Sequence, residues 1–202
     1  MKIGILGTGH VAKLLGTAWQ QAGHEVTLGS RDPNSKKLDL PVNTLTDTAR
    51  NADVIVDAII GTAAVETISS IPPSVFAGKT VIDVTNAFTP EYQLVYPTSS
   101  VAEQLQQILP DAHLVKTLNT GAMTVMSNPE AIGSKGSVFL SGDDAAAKAD
   151  TAGLLTDLGW PADSVVDLGG IDTAGAAEHY FLLFVRLAGA LKSEMFNIRV
   201  VR

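Results

Sequence analysis

The sequence predicts an α/β protein with a doubly wound, mostly parallel sheet and a small C-terminal α/β extension. Three observations predict it. Short apolar runs alternate with amphipathic stretches along most of the chain. Several of the runs are nearly continuous in apolar and β-branched residues, the pattern of parallel strands covered on both faces. The first run passes through a glycine-rich turn directly into the first helical stretch. With 202 residues, 46% hydrophobic and 17% charged, the chain is long enough for one sizeable core and too short for two full domains.

The elements follow in order. Residues 2–6 read as a buried strand ending on Gly7. Val11, Leu15, Ala18, Trp19 and Ala22 recur at helical spacing, so a helix opens near His10 and closes at Gly23. A second strand is expected over 25–30, then a loop over 31–41 with two prolines and the pair Lys36 and Lys37. A short helix over 46–51 precedes a strand over 53–60. A helix over 63–70 leads to a strand over 80–85 that ends at Asn86. After a loop over 92–99, a helix over 101–109 stops at Pro110. Strands are expected over 113–118 and 137–141, an alanine-rich helix over 145–158 ending at Gly159, and a short strand over 165–168. A long apolar helix over 173–191 and an extended tail over 196–201 complete the chain. An internal boundary is expected within 119–136. Residues 1–120 then form a dinucleotide-binding domain, and 121–202 either a smaller lobe packed on it or one continuous domain with it.

Charge and composition narrow the function classes. A net charge of −7 with a pI near 4.9 argues against a nucleic-acid partner, because phosphate backbones select basic surfaces. Any anionic ligand must then be held by a local positive feature against the overall field. Cysteine is absent, which removes disulfides, thiolate metal ligands and thiol nucleophiles and fits a reducing compartment. Strand-forming sequence begins at Lys2, and the longest apolar stretch, 180–185, is far below a bilayer span. The expectation is a cytoplasmic protein without a membrane partner.

The first turn reads Gly7-x-Gly9-x-x-Ala12. The first glycine permits a tight turn and the second lets backbone approach a pyrophosphate. A small third residue lets helix and strand pack closely. The phosphates would meet free amides at the positive end of a helix dipole. Such a motif is weak alone, but strand before, helix after and a second strand at the right distance identify a Rossmann-type dinucleotide site. Where the second strand ends, NAD-binding proteins usually place an acidic residue on the ribose hydroxyls. This chain has Ser30 and Arg31. A guanidinium grips a 2′-phosphate that a carboxylate would repel, so NADP(H) is expected. Lys36 or Lys37 would close that pocket, with Asp32 facing away or capping the turn. The plainer alternative for Arg31 is a solvated surface charge.

Several segments together resemble the NADP-dependent coenzyme F420 oxidoreductase family. They are Gly7-Thr-Gly-His-Val-Ala12, Ala22-Gly-His-Glu-Val26, Gly29-Ser-Arg-Asp-Pro33, Asp83-Val-Thr-Asn86 and Val115-Lys-Thr-Leu-Asn-Thr120. The first three are common to many NADP-binding domains, whereas Gly29-Ser-Arg and the later Lys-Thr-Leu-Asn-Thr are more particular. The family is also similar to the cytoplasmic domain of six-transmembrane ferric reductases, which passes electrons from NADPH to a flavin. The resemblance implies hydride exchange between NADP(H) and coenzyme F420 or a flavin. It places Thr8, Gly9, His10 and Val11 on the pyrophosphate and adenosine side, and Ser30 and Arg31 on the 2′-phosphate. Nicotinamide would lie over the strand ends carrying Ala58, Ile59 and Asn86. The family's loop lysine is matched loosely by Lys36.

Direct hydride transfer needs two carbons held about 3–3.5 Å apart and water kept out, with no nucleophile and often no general acid. No catalytic side chain is therefore assigned. Beyond the strand ends, the candidates are Ile59, Gly61, Asn86, Ala87, Asn119, Thr120 and Met123. Asn86 and Asn119 would bond the carboxamide or the partner ring, or else cap turns. Asp53, Asp57 and Asp83 read as scattered along strands, with no paired-carboxylate site. No His or acidic cluster has metal-ligand spacing, and no metal site is expected. His179 interrupts the last helix and is expected as a hydrogen-bonded core or interface histidine. That helix carries Gly175, His179, Arg186 and Gly189 on one stripe and is otherwise apolar, so burial is expected, in part against a second copy in a homodimer.

Two other functions compete. A reductase of small carbonyls, imines or hydroxy acids usually adds a long helical domain, and only about 30 residues follow Gly170. A non-catalytic NADP(H)-binding redox sensor would share every binding feature but not turn over.

Overall fold

The computed structural model describes residues 1–35, 37–133 and 136–201. Lys36, expected near the 2′-phosphate, lies outside the described residues. One eight-stranded sheet organises the chain, in the order β3-β2-β1-β4-β5-β6-β7-β8. Its strands are β1 (Lys2–Leu6), β2 (Glu25–Ser30), β3 (Val42–Thr44), β4 (Val54–Asp57), β5 (Thr80–Asp83), β6 (His113–Thr117), β7 (Val138–Gly142) and β8 (Val165–Gly169). Neighbouring strands run parallel everywhere except β6 against β7. The doubly wound α/β class read from the sequence is the class observed.

Among the described residues seven α-helices cover the sheet: α1 (His10–Gln21), α2 (Leu45–Asn51), α3 (Gly61–Ser69), α4 (Val101–Ile108), α5 (Met123–Ser127), α6 (Ala145–Asp157) and α7 (Ala174–Leu191). Strand alternation divides the interior into two cores. Ile3, Ile5, Val54, Val56, Ile82 and Val115 face α1, α5, α6 and α7. Ile55, Val81 and Leu114 face α2, α3 and α4. In α1 the buried positions Ala12, Leu15, Gly16 and Trp19 follow the helical period, as expected. Trp19 also donates its indole N–H to the Leu154 carbonyl, tying α1 to α6. Each fully buried side chain of this size contributes about 1.5–3 kcal/mol.

The strand β3 and the helix α5 were not expected from sequence; at three and five residues they carry too little periodicity to be read. Two expected strands are shorter than predicted, for one shared reason. Asp57 Oδ1 accepts the Ile59 N–H at 3.0 Å, and Asp83 Oδ1 accepts the Thr85 N–H at 2.8 Å. Each aspartate folds its chain back on itself at the strand end, so β4 and β5 stop there. The last helix differs from expectation in its buried polar residue. It buries Ala174, Ala177, Glu178 and Phe184 but leaves Leu183 and Leu191 exposed within this chain. Its charged core residue is Glu178, not His179. His179 is exposed and bonds the Gly175 carbonyl through Nδ1 at 2.8 Å. The tail is pinned along β7, where Ser137 N donates to the Ile198 carbonyl at 2.8 Å. Among the described residues no helix is long and apolar enough to cross a membrane.

Candidate functional site

Strand order reverses at β1: β2 and β3 are added to one side of it, β4 and β5 to the other. A crevice opens at such a switch point, beyond the carboxyl ends of the strands. Two adjoining cavities occupy it. The first, about 360 Å³, is lined by Gly7, Thr8, Gly9, Ser30, Arg31, Ala58 and Ile59 among others. The second, about 570 Å³, is lined by Gly9, His10, Val11, Ala58, Ile59, Asn86 and Asn119, with walls from α5 and α7. Gly9, Ala58, Ile59 and Ile60 border both. Ile60 is 77% exposed, an apolar side chain left at the junction of the two cavities.

The glycine turn behaves as its spacing predicts. Gly7 has φ +124°, and a Cβ there would lie 2.7 Å from the Ala58 carbonyl oxygen, so both backbone angle and space demand glycine. Gly9 differs. Its φ is −73°, and a Cβ would meet nothing within 4 Å among the described residues, which therefore do not call for glycine at that point. A ligand approaching the backbone would. The first turn of α1 supports this, because no side chain caps it and it holds no acidic residue. Thr44, Ser100 and Asp144 cap α2, α4 and α6, whereas α3, α5 and α7 share the uncapped start of α1. The amides opening α1 are therefore free to meet an anion.

At the end of β2, Ser30 Oγ accepts the Asp32 N–H at 3.1 Å. Arg31 is exposed and forms no ion pair among the described residues, so its guanidinium is available to a phosphate. Asp32, expected to face away or to cap the turn, takes part in closing the turn. It borders the same cavity, while its carbonyl closes the turn by accepting from Ser35. Lys37 is exposed and does not line the cavity.

At the other end, Asn86 and Asn119 bond one another. Asn86 Nδ2 donates to the Asn119 carbonyl at 2.8 Å, and Asn119 Nδ2 donates to Asn86 Oδ1 at 2.9 Å. The chain reaches this position through Leu118, which sits in the left-handed region at φ +60°. A leucine there costs about 1–2 kcal/mol, and such strain tends to be kept at functional positions. Asn119 Oδ1 stays buried without a partner among the described residues. Two expected cavity residues are elsewhere. Ala87 is fully buried in the core on the α3 and α4 face, and Thr120 is buried without lining the cavity. Ala87 lies inside because the chain turns beside Gly61, where a Cβ would come within 2.9 Å of the Ala87 nitrogen.

Sequence reasoning missed the aromatic wall and the charges beneath it. Phe88, Phe181, Phe184 and Phe196 stack in a row with centroids 5.2, 5.4 and 5.0 Å apart, and Phe181 and Phe184 line the larger cavity. Glu194, just beyond α7, lines it too. Below, Asp57 pairs in register with Asp83, and Asp83 with Lys116. The aspartates are therefore neighbours rather than scattered. Lys116 Nζ donates to Asp83 Oδ2 at 2.8 Å, to Glu178 Oε1 at 2.8 Å and to the Thr85 carbonyl. Burial works against the Lys116 ammonium, but Asp83 and Glu178 together hold its pKa above the usual lysine value. Burial, reinforced by the Asp83 carboxylate, drives the Asp57 carboxyl well above the ordinary range; the Ile59 N–H and Lys116 offset only part of this. The signal for these charges was a charged residue inside each of four apolar runs, at Asp57, Asp83, Lys116 and Glu178.

Comparison with known proteins decides the family. The model for NADP oxidoreductases, coenzyme F420-dependent, matches residues 2–87. Across its whole length the chain is similar to a crystal structure from Arthrobacter sp. FB24, described as a candidate F420-dependent NADP reductase. The two share 37% identity at a TM-score of 0.94, with 100% of each chain covered. This chain belongs to the coenzyme F420-dependent NADP oxidoreductase family. It is accordingly an NADP-dependent oxidoreductase, and the glycine turn and an Arg31 without an ion pair among the described residues fit a phosphorylated dinucleotide. More distant structures share the fold of this oxidoreductase. A hypothetical protein of Sinorhizobium meliloti is 24% identical, with TM-score 0.72 and 87% of each chain covered. A reductive aminase from Aspergillus terreus, solved with NADPH and ethyl levulinate, is 21% identical with TM-score 0.69. The match covers 95% of this chain and 62% of that one.

Proposed function

We propose that this oxidoreductase transfers a hydride directly between NADP(H) and a flat, conjugated ring cofactor of the deazaflavin or flavin class. The observation that carries the reading is the continuity of the two cavities. A groove bordered by the glycine turn and by Ser30 and Arg31 runs into an aromatic-walled chamber across Gly9, Ala58, Ile59 and Ile60. NADPH supplies the hydride when bound. The chain's own part is to hold and to exclude. Gly7, Thr8, Gly9, His10 and Val11 receive the pyrophosphate and its ribose, and Ser30 and Arg31 the 2′-phosphate, with Lys36 nearby in sequence. Ala58, Ile59 and Asn86 form the floor of the nicotinamide end. Asn119 Oδ1, buried and unpartnered, is matched to an amide donor such as a carboxamide. Phe181, Phe184, Val11 and Met126 keep water from the acceptor side, which suits hydride chemistry.

The test is stopped-flow oxidation of NADPH with a deazaflavin, FMN and riboflavin. Fast single-turnover transfer to one of them supports the reading. Tight NADPH binding with no transfer to any would replace it with a redox sensor. A homodimer through the outer face of α7 remains part of this proposal, because Leu183 and Leu191 are 52% and 58% exposed there. A monomeric mass by sedimentation equilibrium at micromolar concentration would remove it.

A further inference from the structure

We propose that the buried contact between Glu178 and Lys116 is a strut that sets the distance between the two sides of the hydride-transfer chamber. The inference rests on the function proposed above. On one side, α7 supplies Phe181 and Phe184 to the chamber wall, one and two turns beyond Glu178. On the other, the ends of β4 and β5 supply Ile59, Thr85 and Asn86. Glu178 Oε1 accepts both from Lys116 Nζ and from the Val101 N–H, each at 2.8 Å. Lys116 Nζ in turn holds Asp83 Oδ2 and the Thr85 carbonyl, while Asp83 Oδ1 holds the Thr85 N–H. A continuous series of short bonds thus runs from the wall helix to the residue before Asn86.

Nothing about folding requires this arrangement. Glu178 and Lys116 have side-chain exposures of 1%, and taking two charges out of water is costly. Apolar residues of similar size would usually serve stability as well or better. What they lack is direction. Apolar packing tolerates sliding, whereas a carboxylate shared between an ammonium and an amide fixes one geometry. Hydride transfer is sensitive to such geometry, since a misplacement of about 1 Å can cost 10²-fold in rate. Neither residue lines the cavity, so both are positioning residues.

The test compares K116M/E178L, E178L, E178Q and E178D. The double variant leaves Asp83 buried without its counter-ion and is expected to be less stable than wild type, yet at temperatures where it is folded to bind NADPH with wild-type affinity. Its single-turnover hydride transfer to a deazaflavin or FMN should fall about tenfold or more. Its deuterium isotope effect should grow steeper with temperature, as a loosened donor–acceptor distance requires. E178Q keeps an acceptor oxygen and is expected to recover most of the rate lost in E178L. E178D keeps the charge but shortens the arm, and should be slow without losing NADPH affinity. A wild-type rate and isotope effect in K116M/E178L, or in E178D if the double variant does not fold, overturns the strut. The geometry has a readout independent of any acceptor. Because the chain has no cysteine, spin labels at Glu66→Cys on α3 and Arg186→Cys on α7, diluted into unlabelled protein, report the separation within one chain. The distribution should be narrow in wild type and E178Q and broad in E178L. Equal widths overturn the proposal even if no acceptor is ever reduced, whereas narrow wild-type and broad E178L distributions without hydride transfer reject only the proposed function.

Discussion

Asp83 on β5 and Lys116 on β6 are register partners whose side chains close a 2.8 Å ion pair at 0% and 1% exposure. Breaking such a pair from one side leaves a buried charge without its counter-ion. Lys116→Met alone should therefore destabilise the protein by about 3–5 kcal/mol. Urea unfolding measures this, and a loss below about 1 kcal/mol would show that Asp83 and Glu178 do not depend on the ammonium.

Asp57 ties stability to pH. Burial first, then the Asp83 carboxylate, raise its pKa well above the ordinary value. Folding therefore binds a proton as the chain leaves the unfolded state. That contribution is complete below the unfolded pKa, about 3.9, and is lost as pH rises through the raised folded value. Asp57→Asn keeps an oxygen for the Ile59 N–H and removes the titration. The variant should gain on wild type progressively as pH rises. A stability difference constant from pH 4 to pH 9 would mean that Asp57 titrates alike in both states.

Gly9 and Gly61 separate ligand binding from folding. At Gly61 a Cβ would lie 2.1 Å from the Asn86 carbonyl oxygen, so Gly61→Ala should cost about 1–3 kcal/mol of stability. Gly9→Ala, with open space and a negative φ, should unfold like wild type yet bind NADPH about tenfold or more weakly, about 1.4 kcal/mol. Calorimetry and thermal melts on both variants check the contrast. Unchanged NADPH affinity in Gly9→Ala would free that residue from the pyrophosphate site.

Arg31→Asp should reverse cofactor preference. Replacing a charge-assisted contact worth about 1.5–3 kcal/mol by a repelling carboxylate weakens NADPH by tenfold or more and leaves NADH little changed. Equal NADPH affinity in wild type and variant would assign Arg31 to the surface alone.

Asn119→Ala removes the reciprocal bond to Asn86 and the unpartnered Oδ1 together. Single-turnover transfer should slow, and acceptor affinity should change less than the rate. Unchanged transfer would reduce the pair to a turn brace.

Much of this architecture was legible before folding was considered. The β1-to-α1 turn, the helical stripe of Ala12, Leu15 and Trp19, and Arg31 at the end of β2 are local facts. Strand and helix periods of about 2 and 3.6 write them directly into neighbouring residues. Errors arose where a polar side chain overrode the apolar run. Asp57 and Asp83 end their strands early, and Glu178 rather than His179 turns into the core. Ala87 reads as a cavity residue by position but is drawn inside by its close passage past Gly61.

The sequence by itself determined the sheet-and-helix alternation, the anion-binding turn and the positive residue at the ribose position, because each is set within one turn or one strand. Tertiary structure alone decided that Lys116 meets an aspartate 33 residues before it and a glutamate 62 residues after it. Strand register and the docking of α7 bring those groups together, and no local pattern encodes a register. The same holds for Phe181, Phe184 and Glu194, which reach the chamber only because the end of the chain folds back over the strand tips.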